Sequence, residues 1–260
     1  MRPLNVGRSH ALTGASLHGV HAMTDYTLYY WPLPFRGEFV RAILAFAGKT
    51  WTEPDSRQIS RLMEGPVHAM PVPFMGPPVL VDEANKVVIS QMPAILSYLG
   101  ETLDLLPDTP GGRAMTLKIV GDANDVIDEL TLDGGRQMWT DTRWAAFEPR
   151  LRKWLSLWEE TGRRHGLKRR SGFLLGGTRP GLADIVTATL WNTMGDRFPA
   201  LDEITREAAP MTAALSRRVG ALPPLAARAE RSGAEYGESW SGGKIEASLR
   251  KVLDARGQKG

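Results

Sequence analysis

Every segment of this chain that is typical of a β-strand lies before residue 105. These segments are short, together rich in β-branched and aromatic side chains, and bounded by proline or turn residues; they cover residues 26–31, 77–82 and 86–90. Beyond them the apolar residues recur at the three- and four-residue spacing of helices. The sequence therefore predicts a small α/β domain followed by an all-helical domain.

The first domain is predicted to open with a strand and then a helix over residues 35–48. The two later strands are joined by a short turn, which predicts an antiparallel pair. Ser90 is expected to cap a further helix that begins at Gln91 and holds Pro93 in its first turn, where a missing N–H costs little. Residues 49–76 show no clear pattern.

The helical domain is predicted from its apolar spacing, and the segment 181–191 is apolar nearly all round, which places it at the centre of a bundle. Further helices are expected over residues 119–130, 151–158, 210–219, 225–231 and 244–253. The breaker-rich segment before them is interpreted as a linker. The predicted divisions are an extension over residues 1–22, an α/β domain over 25–104, the linker over 105–112, a helical domain over 113–236 and a tail over 237–260.

The first 22 residues are interpreted as an extension outside the fold. They contain two arginines and no acidic residue, and they lack the apolar middle of a secretory signal. Met23 is a natural start for the segment that follows. A transit peptide is the alternative interpretation of this stretch.

The composition excludes several classes of function. With 42% hydrophobic and 23% charged residues, the chain has the balance of an ordinary globular protein. The net charge is only +3, and the one basic cluster, over residues 163–170, is interrupted by glycines, so a solvated loop is favoured over a nucleic-acid site. No apolar run approaches the roughly 20 residues that span a bilayer. The chain has no cysteine, which excludes disulfides, thiolate metal sites and Cys-x-x-Cys redox pairs.

Four local motifs follow one another in the order and domains of a known family. The chain resembles the cytosolic glutathione transferases over about residues 26–235, most closely the tyrosine-dependent alpha, mu, pi and sigma classes. The resemblance implies a thioredoxin-like N-terminal domain and an all-α C-terminal bundle. It is carried by the ungapped segment from Tyr30 to Gly48, by Pro77-Pro-Val-Leu, by Ser90-Gln-Met-Pro-Ala-Ile-Leu-Ser-Tyr-Leu, and by Phe173-Leu-Leu-Gly with Gly181-Leu-Ala-Asp-Ile.

Tyr30 is the catalytic candidate. A thiol with a pKa of about 8.5 is only a few per cent ionised at neutral pH, and a neutral phenol that donates a hydrogen bond to the thiolate increases that fraction. Arg36, six residues on, matches the family arginine and is expected to add positive charge at the glutathione site. Asp125 and Asp128 could meet the glutathione amine. The alternative for Tyr30 is a strand residue that only packs beneath the helix.

The resemblance implies further glutathione contacts at two places. Gln91 and Met92 begin the helix that holds the γ-glutamyl end, although Met92 stands where the family has serine or threonine and so supplies no hydroxyl. Pro78 corresponds to the family's cis-proline, which has a structural role. Pro77 precedes it and can offer glutathione its carbonyl but no N–H.

Other positions are implied with different roles. Phe74 matches the aromatic key that inserts into a partner subunit. Asp184 is interpreted as structural, a helix-start carboxylate that bonds the backbone because Gly181 replaces the usual hydroxyl residue. Met138 and Trp139 are candidates for the electrophile pocket, with a core or rim position as the alternative.

The resemblance therefore implies an enzyme, a glutathione transferase that conjugates reduced glutathione to a small hydrophobic electrophile. It implies a cytoplasmic, detoxifying homodimer with glutathione as co-substrate, and no cofactor, metal, nucleic acid or membrane is expected. The alternatives are glutathione-dependent peroxide reduction or isomerisation at the same site, and a non-catalytic interaction module of the same fold.

Overall fold

The computed structural model describes residues 24–257. The predicted extension over residues 1–22 lies outside the described residues. Within them, the architecture is a small mixed sheet with helices near the N-terminus, followed by helices alone. This confirms the predicted fold class.

Four short strands form the sheet, in the order β2-β1-β3-β4. β1 pairs in parallel with β2 and antiparallel with β3, and β3 pairs antiparallel with β4, as the short turn between the last two predicted. After β4 the structure describes only one isolated bridge, between Lys168 and Ser171. The strands are β1 (Tyr26–Tyr29), β2 (Trp51–Thr52), β3 (Val79–Asp82) and β4 (Val87–Ser90).

The helices of this first part are α1 (Phe35–Phe46), α2 (Ser56–Glu64) and α3 (Met92–Thr102). The segment without a sequence pattern supplies β2, α2 and a 3-10 turn over Val67–Ala69. The expectation that Ser90 caps α3 is wrong. Ser90 is the last residue of β4, and Gln91, with a φ of 73°, is the residue that turns the chain into the helix.

The remaining helices follow one another closely. α4 begins inside the predicted linker, because a proline fits the first turn of a helix and the Thr109 hydroxyl accepts a hydrogen bond from the Gly112 N–H. α7 is buried nearly all round, which confirms its predicted central position. The bounds are α4 (Pro110–Leu130), α5 (Leu132–Gly135), α6 (Asp141–Arg164), α7 (Leu182–Arg197), α8 (Pro199–Ala208), α9 (Pro210–Gly220), α10 (Pro223–Tyr236) and α11 (Gly243–Gly257).

The last helix, α11, is longer than the sequence predicted and packs onto the body of the protein. It buries Ile245, Leu249 and Val252. A carboxylate oxygen of Glu246 accepts hydrogen bonds from the three consecutive N–H groups that precede the helix, beginning at Trp240. The chain before α11 is therefore held in place, which matters because it lies next to the loop after β1.

The larger of two buried apolar clusters runs through both parts of the chain. α1 packs against α3 of the first part and against α7 and α10 of the helical part. Leu28 of β1 and Ile185 of α7 belong to the same buried cluster. This shared core fixes the C-terminal end of β1 relative to the helical part.

Candidate active site at one end of the sheet

The candidate site residues from three strands meet at one end of the sheet. Tyr29 pairs with Val79, and Val79 pairs with Ser90. The next residue on each strand at that end is Tyr30, Pro78 and Gln91, respectively. Neighbouring strands lie about 4.8 Å apart, so the three positions form a short row. The sheet thus brings together residues that are far apart in the sequence.

Tyr30 is held firmly at the start of this row. Its side chain is 4% exposed, and its hydroxyl accepts a hydrogen bond of 3.0 Å from the Arg36 backbone N–H at the beginning of α1. Burial raises the pKa of Tyr30 to about 12, against the opposing effect of the nearby positive charges of Arg36 and Arg41. The phenol is therefore protonated at neutral pH and keeps a hydrogen to donate. Tyr29 is on the other face of the sheet, against a separate small cluster.

The Arg36 side chain connects α1 to α4. Its guanidinium donates to Asp128 Oδ1 at 3.2 Å and to Asn124 Oδ1 at 3.4 Å, and it lies 4.7 Å from the Phe35 ring centroid. Asp128 thus lies beside the Tyr30 end of the sheet, together with the arginine. Asp125 does not join them, because it lines a cleft between α4 and α6.

The peptide bond between Pro77 and Pro78 is cis, as the resemblance implies. Pro78 is buried and Pro77 is half-buried. Because Pro77 has no N–H, its carbonyl is the one main-chain hydrogen-bonding group that this residue can offer to a ligand.

The start of α3 combines backbone strain with free donors. Gln91 is exposed and has a φ of 73°, a conformation that residues other than glycine rarely adopt. The first bond of the helix runs from the Ile95 N–H to the Gln91 carbonyl, so the Met92 N–H precedes the ladder. Such a helix start attracts carboxylates. The Met92 side chain is fully buried and points away from any ligand there.

Phe74 does not occupy the position of an exposed key. It is 9% exposed and packs with Ile59 and Val79 in a small cluster of its own chain. A side chain that fills its own core is not free to enter a partner, so the structure disagrees with the predicted role. Its neighbour Met75 is apolar and 86% exposed.

Trp139 is a core residue. It is 4% exposed, its indole N–H donates to the Leu130 carbonyl at 2.9 Å, and its ring lies 5.5 Å from Trp144 and 5.2 Å from Phe147. The expectation for Trp139 is therefore corrected to the core alternative. Met138, half-buried, packs against the same core.

The segment before α11 contacts the loop after Tyr30 and the first residue of α1. The Trp240 ring meets the Phe35 ring edge-on at 5.2 Å, and the Trp240 carbonyl accepts from the Phe35 N–H at 3.2 Å. Leu33 lies close to Gly242. The sequence did not indicate Trp240, because a single tryptophan outside a periodic segment carries no positional signal.

Asp184 lies at the start of α7. Its carboxylate accepts from the Gly181 N–H at 2.9 Å and from the Leu174 N–H at 2.7 Å. Burial raises the pKa of Asp184 to about 6, although both hydrogen bonds oppose that shift. The residue ties two backbone segments together, far along the chain from Tyr30.

A model of the glutathione S-transferase C-terminal domain matches residues 115–252, which is more than half of the chain. The chain belongs to the glutathione S-transferase family. The matched region of this glutathione transferase begins in α4 and ends in α11. A search of the curated proteins finds no match.

Solved structures with the same fold include members of two transferase classes. The Pi-class glutathione S-transferase of Onchocerca volvulus is 17% identical with a TM-score of 0.65, and the match covers 83% of this chain and 97% of that one. A Nu-class transferase from Haemonchus contortus is 20% identical with a TM-score of 0.62, and the match covers 80% and 97%. In the part of the chain that the structure describes, no helix combines the length and apolar character needed to cross a bilayer.

Proposed function

We propose that this transferase conjugates reduced glutathione to a small hydrophobic electrophile, through a thiolate that the Tyr30 hydroxyl stabilises. The observation that carries the proposal is the bond from the Arg36 N–H to the Tyr30 oxygen. It fixes the phenol at the end of the sheet and uses an acceptor site of the oxygen, so the O–H remains for a ligand. Hydrogen bonds of this kind polarise one another, which makes the phenol a better donor.

The row of residues at the sheet end supports an orientation for glutathione. The γ-glutamyl carboxylate binds at the start of α3, near the Met92 N–H, where the helix dipole favours an anion. The cysteinyl N–H donates to the Pro77 carbonyl. The sulfur then lies beside Tyr30, and the row of strand ends is short enough for one tripeptide to bridge it.

The chemistry requires a proton transfer and then a substitution or addition. The thiol loses its proton to solvent, and the sulfur lone pair forms a bond to the electrophilic carbon. In a substitution the leaving group departs with its bonding electrons, and in an addition the electron pair of the opened π bond takes a proton from solvent. Tyr30 keeps its proton throughout and stabilises the charge on sulfur. A pKa of about 12 suits this role, because a donor must stay protonated at the working pH.

The proposal includes a homodimeric, cytoplasmic enzyme with a detoxifying role, which the family membership supports. Two measurements on the purified chain test the activity. The protein should be retained on immobilised glutathione and eluted by free glutathione, and it should conjugate glutathione to an activated aryl chloride. A chain that is neither retained nor active would contradict the proposal and favour an interaction module.

A further inference from the structure

Arg41 is a fully buried cation that faces the loop between Tyr30 and α1. Its guanidinium donates to three main-chain carbonyls of this loop, at 2.9 Å to Leu33, 3.4 Å to Trp31 and 3.5 Å to Pro34. The loop is only four residues long, from Trp31 to Pro34, and it begins directly after the proposed catalytic tyrosine. The arginine therefore fixes most of the backbone that determines where Tyr30 points.

Two carboxylates hold the guanidinium in this orientation. Glu53, after β2, binds it with both oxygens, at 2.8 Å to Nε and 2.7 Å to Nη2. Glu38, one turn back in α1, accepts from Nη1 at 3.4 Å. A charge without exposed surface is expensive to bury unless it is paired and hydrogen-bonded, so this arrangement depends on each of these contacts. The planar fork of arginine suits it, and the ammonium of lysine does not.

Arg41 also contacts the tyrosine itself. Its Cζ lies 5.5 Å from the centroid of the Tyr30 ring and 5.2 Å from that of Tyr236. The positive charges of Arg36 and Arg41 both lower the pKa of the Tyr30 phenol, against the larger effect of burial. Arg36 meets it through the backbone N–H at the hydroxyl, and Arg41 through the ring and the loop.

We propose that Arg41 is a positioning residue for the conjugation reaction, which holds the Tyr30 loop so that the phenol donates to the glutathione sulfur. This inference rests on the proposed function of Tyr30. It goes beyond the local contacts of Tyr30, because it makes the strength of that hydrogen bond depend on Arg41 and on the Glu53 carboxylate, after β2, that orients it.

Arg228 provides a matched comparison within the same network. It is 5% exposed, donates to both oxygens of Glu38 at 2.8 Å and 3.2 Å, and pairs with Glu235 at 3.4 Å. It makes no hydrogen bond to the loop after Tyr30. An effect that arises only from disturbing a buried ion pair should therefore be shared by Arg41 and Arg228.

The experiment compares Arg41→Lys with Arg228→Lys. The pH dependence of kcat/KM for conjugation to an activated aryl chloride and the ultraviolet absorbance of the bound thiolate are measured for both, with KM for glutathione and melting temperature. We expect both variants to melt lower. Arg41→Lys should shift the acid limb of the pH profile of kcat/KM to higher pH by about one pH unit, which lowers kcat/KM at neutral pH about tenfold. The KM for glutathione should change by less than about threefold. Arg228→Lys should leave the limb in place.

An unshifted limb in Arg41→Lys, or equal shifts in the two variants, would overturn the positioning role. If Arg41→Lys does not fold, Glu53→Gln decides the question, since Glu53 is part-exposed. The glutamine side chain keeps the shape of the glutamate but removes its charge, so it holds the Arg41 guanidinium less firmly. It should shift the limb in the same direction, and an unchanged limb would overturn the role. Tyr30→Phe separates the two proposals: if it also leaves the limb unchanged, the function proposed for Tyr30 has failed.

Discussion

A β-carbon on Gly37 would lie 2.2 Å from Cδ1 of the Tyr30 ring. Real side chains do not approach so closely, so the residue that follows Arg36 in α1 has to be glycine for the tyrosine to keep its position. The first turn of α1 therefore contacts Tyr30 at two places: Gly37 packs against the ring, and the Arg36 N–H donates to the hydroxyl.

Gly37→Ala should therefore displace the tyrosine. Overpacking of this kind typically costs about 1–3 kcal/mol, and conjugation should fall with the loss of the Tyr30 geometry. Melting temperature and turnover measure the two effects. Gly121→Ala in α4 is the control, because a β-carbon there meets no atom within 4 Å, and it should stabilise the protein by up to about 1 kcal/mol. Normal turnover in Gly37→Ala would contradict the proposed importance of the contact.

Gln91→Gly should weaken glutathione binding without lowering the stability of the protein. Glycine adopts a φ of 73° without strain, so the melting temperature should stay the same or rise. Glutathione affinity should fall by roughly tenfold if the amide binds the ligand, since a hydrogen bond to a charged group is worth about 1.5–3 kcal/mol. Calorimetric titration measures it. Lys86→Gly relieves a similar strain, at a φ of 55° in the exposed turn between β3 and β4, and should leave affinity unchanged. Equal affinities in both variants would exclude Gln91 from the site.

Asp184→Ala should harm folding more than catalysis, because losing a helix-start carboxylate costs about 0.5–2 kcal/mol. The folded pKa, about 6, lies above the ordinary value of 3.8, so the folded protein binds the proton more tightly than the unfolded chain. Wild-type stability should therefore fall as pH rises from about 4 to 6, by up to about 3 kcal/mol.

The alanine variant lacks this titration, so its deficit in melting temperature should be larger near pH 4 than near pH 7. Thermal melts at both pH values check the sign, with exposed Asp108→Ala as the control. A deficit that grows with pH would show that the two backbone hydrogen bonds outweigh burial. An unchanged melting temperature with activity abolished would contradict the structural role itself.

The chain is expected to form a homodimer, and Phe74 is expected to stabilise the subunit and not the interface. Light scattering at micromolar concentration should give one species of twice 28.6 kDa, and a single 28.6 kDa species would contradict the dimer. Phe74→Ala should lower stability by about 3 kcal/mol, because it empties a buried position, and should remain dimeric. Met75→Ala, at an 86% exposed position, should melt like the parent.

The parts of the fold that the sequence predicted are those with a local pattern. α1, the pair β3 and β4, and α7 each carry a periodic apolar signal or a turn signal that needs no distant partner. β2 has two residues, which is too short for alternation to show, and α2 buries only Ile59. Their positions are decided by pairing with β1 and by packing beneath the sheet, which a pattern along the chain does not contain.

The candidate site divides in the same way. Tyr30, Pro78 and Gln91 were identified by motif, and the strand register then brought them into one row. Phe74 and Trp139 were misjudged, because an aromatic residue in a loop fits a core, an interface or a pocket equally well by sequence. The ion network around Arg41 was missed because its members are scattered along the chain, with Glu53 and Arg228 lying 12 and 187 positions after Arg41.

The most direct test of the account is the pKa of the glutathione thiol bound to Tyr30→Phe. The change removes one oxygen and leaves the buried ring, so fold and glutathione binding should persist. Losing a hydrogen bond to the thiolate should raise the thiol pKa by about one to two units and lower turnover at neutral pH by roughly ten- to a hundredfold, with less loss at higher pH. Tyr29→Phe, on the opposite face, should match the parent. If the thiolate absorbance and the pH–rate profile of Tyr30→Phe both match the parent, Tyr30 does not activate the thiol.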